Sequence, residues 1–329
     1  MLQYHHVSES TPASTSISPE NFRRHLDWLA DNDFTVLPLH EAIKLLRSGK
    51  PLPDKSVAIT FDDGYRNIYA TAFPMLKKRG WPFTIFINPE PHDKNASSWA
   101  SWDQLREMSA NGAILANHTM SHLHMLRLKD AETETQWLER LKTEIMGAET
   151  RIREETGQDH KLFAYPYGES DSKIRELVTG LGYIAFGQQS GPLGPDSDFQ
   201  NLPRFPLSGS YAALDTFKTK MLSLPMPVYA ATPASESGDE VLSYNEKRPA
   251  LTLQLHDSGR VNMNCFASGQ GAIPVTDQGE GRYVIRPTNT IPAGRSRYNC
   301  TYMSEESGRF YWYSYNWVRR GANEQWLHD

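Results

Sequence analysis

Along the first 225 residues, short apolar runs alternate with amphipathic stretches. Residues 2–6, 34–37, 56–61, 83–87, 113–116, 162–164 and 183–186 read as strands, several of them apolar throughout, as strands buried on both faces are. Between them, apolar residues recur at helical spacing. Ser18-Pro19-Glu20 opens a helix with serine as N-cap and proline in the first turn, and Phe22, Leu26 and Leu29 share one face. Further helices are predicted over 40–47, through Tyr69, Phe73 and Leu76, and over 102–109, 133–156, 172–181 and 211–222. Repeated βα units of this kind predict a mainly parallel sheet with helices outside. With this many units the expected fold is α/β, a distorted (β/α) barrel over residues 1–225, with its chemistry at the C-terminal ends of the strands.

Residues 226–249 change character. They are rich in Pro, Ala, Ser and acidic side chains and read as a linker. Beyond them, over 250–329, helical periodicity stops. LTLQL, RVNMNCF, RYVIRP and GRFYWYSYNW alternate in strand fashion between turn clusters such as DSG, SGQG and DQGEG. This predicts a small all-β, sandwich-like accessory domain.

Hydrophobic residues make up 39% of the 329-residue chain, enough for a sizeable core, and the net charge of −5 carries no basic footprint for nucleic acid. No apolar run has the length of a membrane span. The two cysteines, Cys265 and Cys300, are either buried free thiols or a disulfide within the C-terminal domain. A disulfide would imply an oxidising compartment, periplasmic or secreted. An apparent strand starts at Leu2 with no leader before it, as expected of an exported chain whose signal has been removed and replaced by Met1.

Two segments carry candidate chemistry. Val57-Ala58-Ile59-Thr60-Phe61-Asp62-Asp63-Gly64 runs a hydrophobic strand straight into two carboxylates. Side chains alternate along a strand, so the two can take separate roles, one on a metal and one free. Asn117-His118-Thr119-Met120-Ser121-His122-Leu123-His124 follows another strand. His118 and His122 are four apart, the spacing that puts two imidazoles on one face of a helical turn. Two imidazoles and a carboxylate make a three-ligand site with an open position, the pattern of catalytic zinc. The plainer alternatives are an acidic turn and solvated loop histidines. His124 reads as structural.

TFDDG followed by H-T-x-x-H resembles the first two motifs of the polysaccharide deacetylases, carbohydrate esterase family 4 or the NodB homology domain, over roughly residues 1–225. By motif position the resemblance implies Asp62 as catalytic base and Asp63, His118 and His122 as metal ligands. Phe163-Ala164-Tyr165-Pro166-Tyr167-Gly168 resembles the third motif, which implies a Tyr167 N–H in the oxyanion hole beside Pro166. The arginine that orients the base in the family is missing near Ala164, and Arg204, in Leu202-Pro203-Arg204-Phe205, is the candidate replacement. Ser101-Trp102-Asp103-Gln104-Leu105 resembles the segment whose tryptophan walls the site, which points to Trp102.

The family's general acid is a late-strand histidine. Leu253-Gln254-Leu255-His256-Asp257 offers a match but lies beyond the linker and reads as a decoy. Leu2-Gln3-Tyr4-His5-His6-Val7 resembles instead the circularly permuted branch that includes the exported deacetylases of poly-β-1,6-N-acetylglucosamine. In that reading His5 is the acid, and alternation sends His6 to packing on the other face. The implied function is metal-dependent hydrolysis of N-acetyl groups from an N-acetylhexosamine polysaccharide, releasing acetate. Zinc is the expected metal, and nickel or cobalt also suit the ligands. The alternatives are a carbohydrate-binding protein on an inactive barrel, and an O-acetyl esterase or non-sugar amidase using the same site. The aromatics over 294–302 and 309–317 either stack on sugar rings or build the sandwich core.

Overall fold

The computed structural model describes residues 1–257 and 259–327, and the counts and absences below refer to those residues. Seven parallel strands make one strongly bent sheet: β1 (Leu2–Tyr4), β2 (Ile59–Asp62), β3 (Phe83–Ile87), β4 (Ala113–Asn117), β5 (Leu162–Ala164), β6 (Ile184–Phe186) and β7 (Phe205–Pro206). Their spatial order is β6-β5-β4-β3-β2-β1-β7. The first strand is therefore internal: Leu2 pairs with Ile59 on one side and with Phe205 on the other. The outer edges approach each other through a parallel bridge between Phe186 and Leu202, and the Arg204 amide donates to the Gln189 carbonyl at 2.9 Å. The sheet is thus bent into a nearly closed, distorted barrel.

Residues alternate between two apolar environments. Ala58, Phe86, Ile114, Ala116, Leu162, Ala164, Phe186 and Leu202 pack in one cluster, and Ile59, Phe61, Ile85, Ile87 and Leu115 in another that also holds helix residues Phe22, Leu26 and Leu29. Helices α1 (Pro19–Asp31), α2 (Leu39–Arg47), α3 (Phe73–Arg79), α4 (Trp102–Ala110), α5 (Glu134–Thr156), α6 (Ser172–Gly180) and α7 (Leu214–Met221) connect the strands. Their starts follow local chemistry: Ser18 caps α1 with Pro19 behind it, and Ser101 and Thr133 each form a capping box with a glutamine three residues on. Among the described residues no helix is long and apolar enough to cross a membrane.

The C-terminal region holds two further sheets. One contains β8 (Val228–Ala234), β9 (Ala250–Leu255), β12 (Val275–Asp277) and β13 (Arg282–Ile285); the other is built on β10 (Asn264–Ala267), β11 (Gly271–Ile273), β14 (Gly294–Met303) and β15 (Phe310–Arg319). Leu251, Leu253 and Ile285 of the first pack with Cys265, Tyr298 and Trp317 of the second in one core, which makes the region sandwich-like. Cys265 and Cys300 face each other across β10 and β14 and form a disulfide. The alternate aromatics Tyr298 and Trp317 are core residues.

The segment read as a linker, 226–249, departs from that expectation. Val228–Ala234 is a strand paired antiparallel with β9, and Val241–Leu242 pairs with β15. Composition misled because β8 is an edge strand, where proline is tolerated: Pro233 needs no donor on its open side. Leu224–Pro225, at the end of the barrel region, also pairs with β15.

Candidate active site

Strand order brings the chemistry together. Because β1 lies between β2 and β7, the end of the first strand sits beside Asp62, and Arg204 enters just ahead of β7. Asp62 is fully buried and accepts three side-chain hydrogen bonds. Arg204 donates from Nη1 to Oδ1 at 2.6 Å and from Nη2 to Oδ2 at 2.9 Å, and Gln3 Nε2 donates to Oδ2 at 2.7 Å. His5 Nε2 lies 3.8 Å from the same oxygen. Arg204 is itself fully buried. Its Nε donates to the Gly187 carbonyl at 3.0 Å, Nη1 also reaches Thr60 Oγ1 at 3.2 Å, and the guanidinium lies over the Phe86 ring. A buried ion pair repays its desolvation only when its geometry is good and its spare donors are used, and both conditions hold here. Burial by itself would raise the Asp62 carboxyl. The Arg204 charge, with His5 and His118, outweighs it and holds the group well below the usual carboxylate range.

Asp63 follows in a left-handed conformation, φ 70°, which takes its side chain out of the strand alternation. Its Oδ1 lies 3.6 Å from His118 Nε2 and 3.3 Å from His122 Nε2. The two carboxylates do separate, Asp62 to the arginine and Asp63 to the imidazoles. Gly64 is also left-handed, and a Cβ there would lie 2.8 Å from the His92 ring and 2.9 Å from Ile87, so only glycine fits.

His118 is fully buried at the end of β4. Its Nδ1–H donates to the Ala164 carbonyl at 2.7 Å, which leaves Nε2 with its lone pair facing Asp63. The four-residue spacing does not act through a helical turn, as the sequence suggested. Residues 118–122 form a loop in which Thr119 and His122 have φ 63° and 57°. The loop is held by Asn117 Oδ1 accepting from the Thr119 amide and Thr119 Oγ1 accepting from the His122 amide. The potential ligand atoms of Asp63, His118 and His122 all lie within 4.8 Å of one another. Asp63 Oδ1 and His118 Nε2 are buried with no hydrogen-bond partner. Unpartnered buried acceptors facing one another are costly in a protein alone, and a divalent cation answers that cost; the donor set fits one. Without an ion, burial pushes Asp63 up to about 6 and His118 down to about 3, and lowers His122.

Tyr167 follows β5 with φ 59°. Its ring stacks on His124 at 3.8 Å and meets the edge of His122 at 4.5 Å. Pro166, buried, precedes it. His124 Nδ1 is 3.1 Å from Glu169, in keeping with a structural part. Trp102 is not brought to the imidazoles. Its Nε1 donates to Asp93 at 2.8 Å, and its ring lies near His92 and Arg151. Aromatic cover comes instead from Tyr65, which stacks on His6 at 3.7 Å, with Trp99 beyond it. His256 is half exposed and pairs with Asp196 at 2.9 Å. Sequence reading missed Gln3 and Tyr65. Gln3 had a signal: it is two residues before His5, hence on the same side of one strand.

Residues 49–186 match the family model described as polysaccharide deacetylase. The chain is 24% identical over 239 residues to poly-beta-1,6-N-acetyl-D-glucosamine N-deacetylase of Escherichia coli (strain K12), covering 62% of this chain but only 35% of that relative. The chain therefore spans about a third of that protein's length. It is 29% identical over 243 residues to the poly-beta-1,6-N-acetyl-D-glucosamine N-deacetylase of Staphylococcus epidermidis, covering 66% of this chain and 80% of the relative. Among solved structures, IcaB from Ammonifex degensii superposes with a TM-score of 0.59 at 26% identity, over 67% of this chain and 95% of that one. Fold, ligand cluster and family model agree over the barrel, whose residues 49–186 match the polysaccharide deacetylase family.

Proposed function

We propose that this protein removes N-acetyl groups from an N-acetylhexosamine polysaccharide of the poly-N-acetylglucosamine type and releases acetate. The observation that carries the reading is the buried, arginine-held Asp62 beside an Asp63/His118/His122 set whose ligand atoms lie within 4.8 Å of one another, those of Asp63 and His118 buried without partners. The names of the similar proteins supply the substrate class. A divalent ion held by Asp63, His118 and His122, zinc in the first instance and nickel or cobalt as alternatives, supplies Lewis-acid activation of water and of the acetyl carbonyl when bound.

The chain's own residues do the rest. Asp62, kept ionised by Arg204 and oriented by Gln3, takes the proton from the attacking water. The Tyr167 N–H donates to the oxygen that gains charge as the carbonyl becomes tetrahedral; such a donor is typically worth about 10²–10³ in rate. His5, beside Asp62, gives its proton to the departing amine, a contribution of about 10²–10⁴. Tyr65 and Tyr167 flank the ligand set and limit water access. The deacetylase unit is taken as residues 1–225, with the β region from 226 packed against it. The Cys265–Cys300 disulfide supports a periplasmic or secreted setting.

The test is acetate release from β-1,6-linked N-acetylglucosamine oligomers, with and without a chelator, beside O-acetylated sugars and simple amides. Chelator-sensitive release from the oligomers is expected. No release from them, or faster turnover of the O-acetyl esters, overturns the reading.

A further inference from the structure

The all-β region reaches the same loops that form the site. Along β14, Arg295 and Arg297 alternate with the buried Ser296 and Tyr298, so both guanidinium groups leave the sheet on one face. Arg295 Nη1 donates to the Tyr167 carbonyl at 3.2 Å, and its guanidinium lies 5.1 Å from the Tyr167 ring centroid. Arg297 Nη1 donates to the Gln188 carbonyl at 3.4 Å. Asn316 on β15, the register partner of Arg297, donates from Nδ2 to Gln189 Oε1 at 3.2 Å. Gln188 is also the side chain that a Cβ at Gly168 would strike, at 2.9 Å. One face of the β14–β15 ladder therefore grips two neighbouring rim loops of the barrel, those after β5 and β6.

The loop after β5 needs holding. Tyr167 adopts φ 59° and Gly168 φ 69°, and a non-glycine residue keeps such a conformation only where its surroundings impose it. The Tyr167 ring also touches His122, one of the three ligand candidates. A shift of this loop would move both the Tyr167 amide and the packing behind an imidazole.

We propose that Arg295 is a positioning residue supplied by the β region: its hold on the Tyr167 carbonyl and ring aims the Tyr167 amide at the acetyl group. This rests on the deacetylase reading for its effect on rate, and on the loop geometry alone for its effect on order. Two readouts on the full chain separate them. In Arg295→Ala, kcat for acetate release falls by about 10- to 100-fold, the scale of a small misplacement of reacting groups. KM, bound metal and Tm stay at wild-type values, and amide hydrogen exchange of the 165–169 peptide speeds up. Arg295→Lys, which keeps a cationic donor, recovers part of kcat. Arg282→Ala, an exposed arginine of the other sheet, leaves both readouts unchanged. Wild-type exchange over 165–169 in Arg295→Ala overturns the proposal whatever the rate. So does a fall in kcat that comes with lost metal and a lower Tm and is not relieved by lysine. If the wild-type chain releases no acetate, the deacetylase reading fails, and loop exchange still decides the role of Arg295.

Discussion

Arg204 holds both carboxylate oxygens of Asp62, at 2.6 and 2.9 Å, from 142 residues away in sequence. Both groups are fully buried. Removing the arginine leaves an unpaired buried charge, which typically costs about 3–5 kcal/mol. Arg204→Ala is expected to lower stability by that order and to abolish acetate release. Arg204→Lys keeps the charge but loses the two-pronged fit; it should fold better than the alanine variant and remain at least about 10-fold slower than wild type. Urea unfolding and acetate release check both, and an active, stable Arg204→Ala would remove the arginine from the mechanism.

The two adjacent aspartates should separate metal binding from turnover. Asp62→Asn preserves shape and leaves the Asp63, His118 and His122 ligand atoms in place, so bound zinc should stay near one per chain while acetate release drops by about 10²-fold or more. His118→Ala should lose metal and activity together. Elemental analysis beside the rate assay decides; metal loss in Asp62→Asn would mean that Asp62 is itself a ligand.

His5 and His256 compete for the role of acid. His5 lies 3.8 Å from Asp62 and His256 pairs with Asp196 in an exposed position. His5→Ala is expected to slow amide cleavage by about 10²–10⁴, and His256→Ala to leave it within about twofold. The reverse pattern would return the acid to the β region.

His25 makes acid stability a local matter. It is fully buried, takes a hydrogen bond from Tyr4 Oη at Nδ1, donates from Nε2 to the Ala212 carbonyl and stacks on Phe217. Burial lowers its pKa to about 4. Because the folded value lies below the unfolded one, about 6.5, the unfolded chain binds more protons between the two. Stability from this residue is present above pH 6.5 and is lost as pH falls towards 4, an effect on the order of 3 kcal/mol. Urea unfolding at pH 4.5, 5.5, 6.5 and 7.5 should show a shallower acid loss in His25→Gln than in wild type. Parallel profiles would assign the loss elsewhere.

Much of the barrel was legible because its signals are local. Residues 83–87 and 113–116 are largely apolar runs of strand length, and Ser18 with Pro19 announces α1 within two residues. The linker expectation failed for the opposite reason. Pro and Ser over 226–249 speak for a loop, and only the partner strand 250–255 turns Val228–Ala234 into a sheet edge. His118 and His122 do lie together, as their spacing suggested, but by a different local route: a loop with two left-handed residues, not a helical turn, brings them together.

The sequence by itself determined which residues are candidates for the chemistry: two carboxylates after one apolar strand, two imidazoles after another, and a histidine closing the first strand. Those are facts of side-chain type and short-range period. Tertiary structure decided how they meet. Placing β1 between β2 and β7 set Gln3, His5 and Arg204 around Asp62, and folding the β14–β15 ladder onto the rim brought Arg295 to Tyr167. Neither follows from local pattern, because strand order and the meeting of two sheets with a barrel depend on contacts 59 to 142 residues apart in sequence.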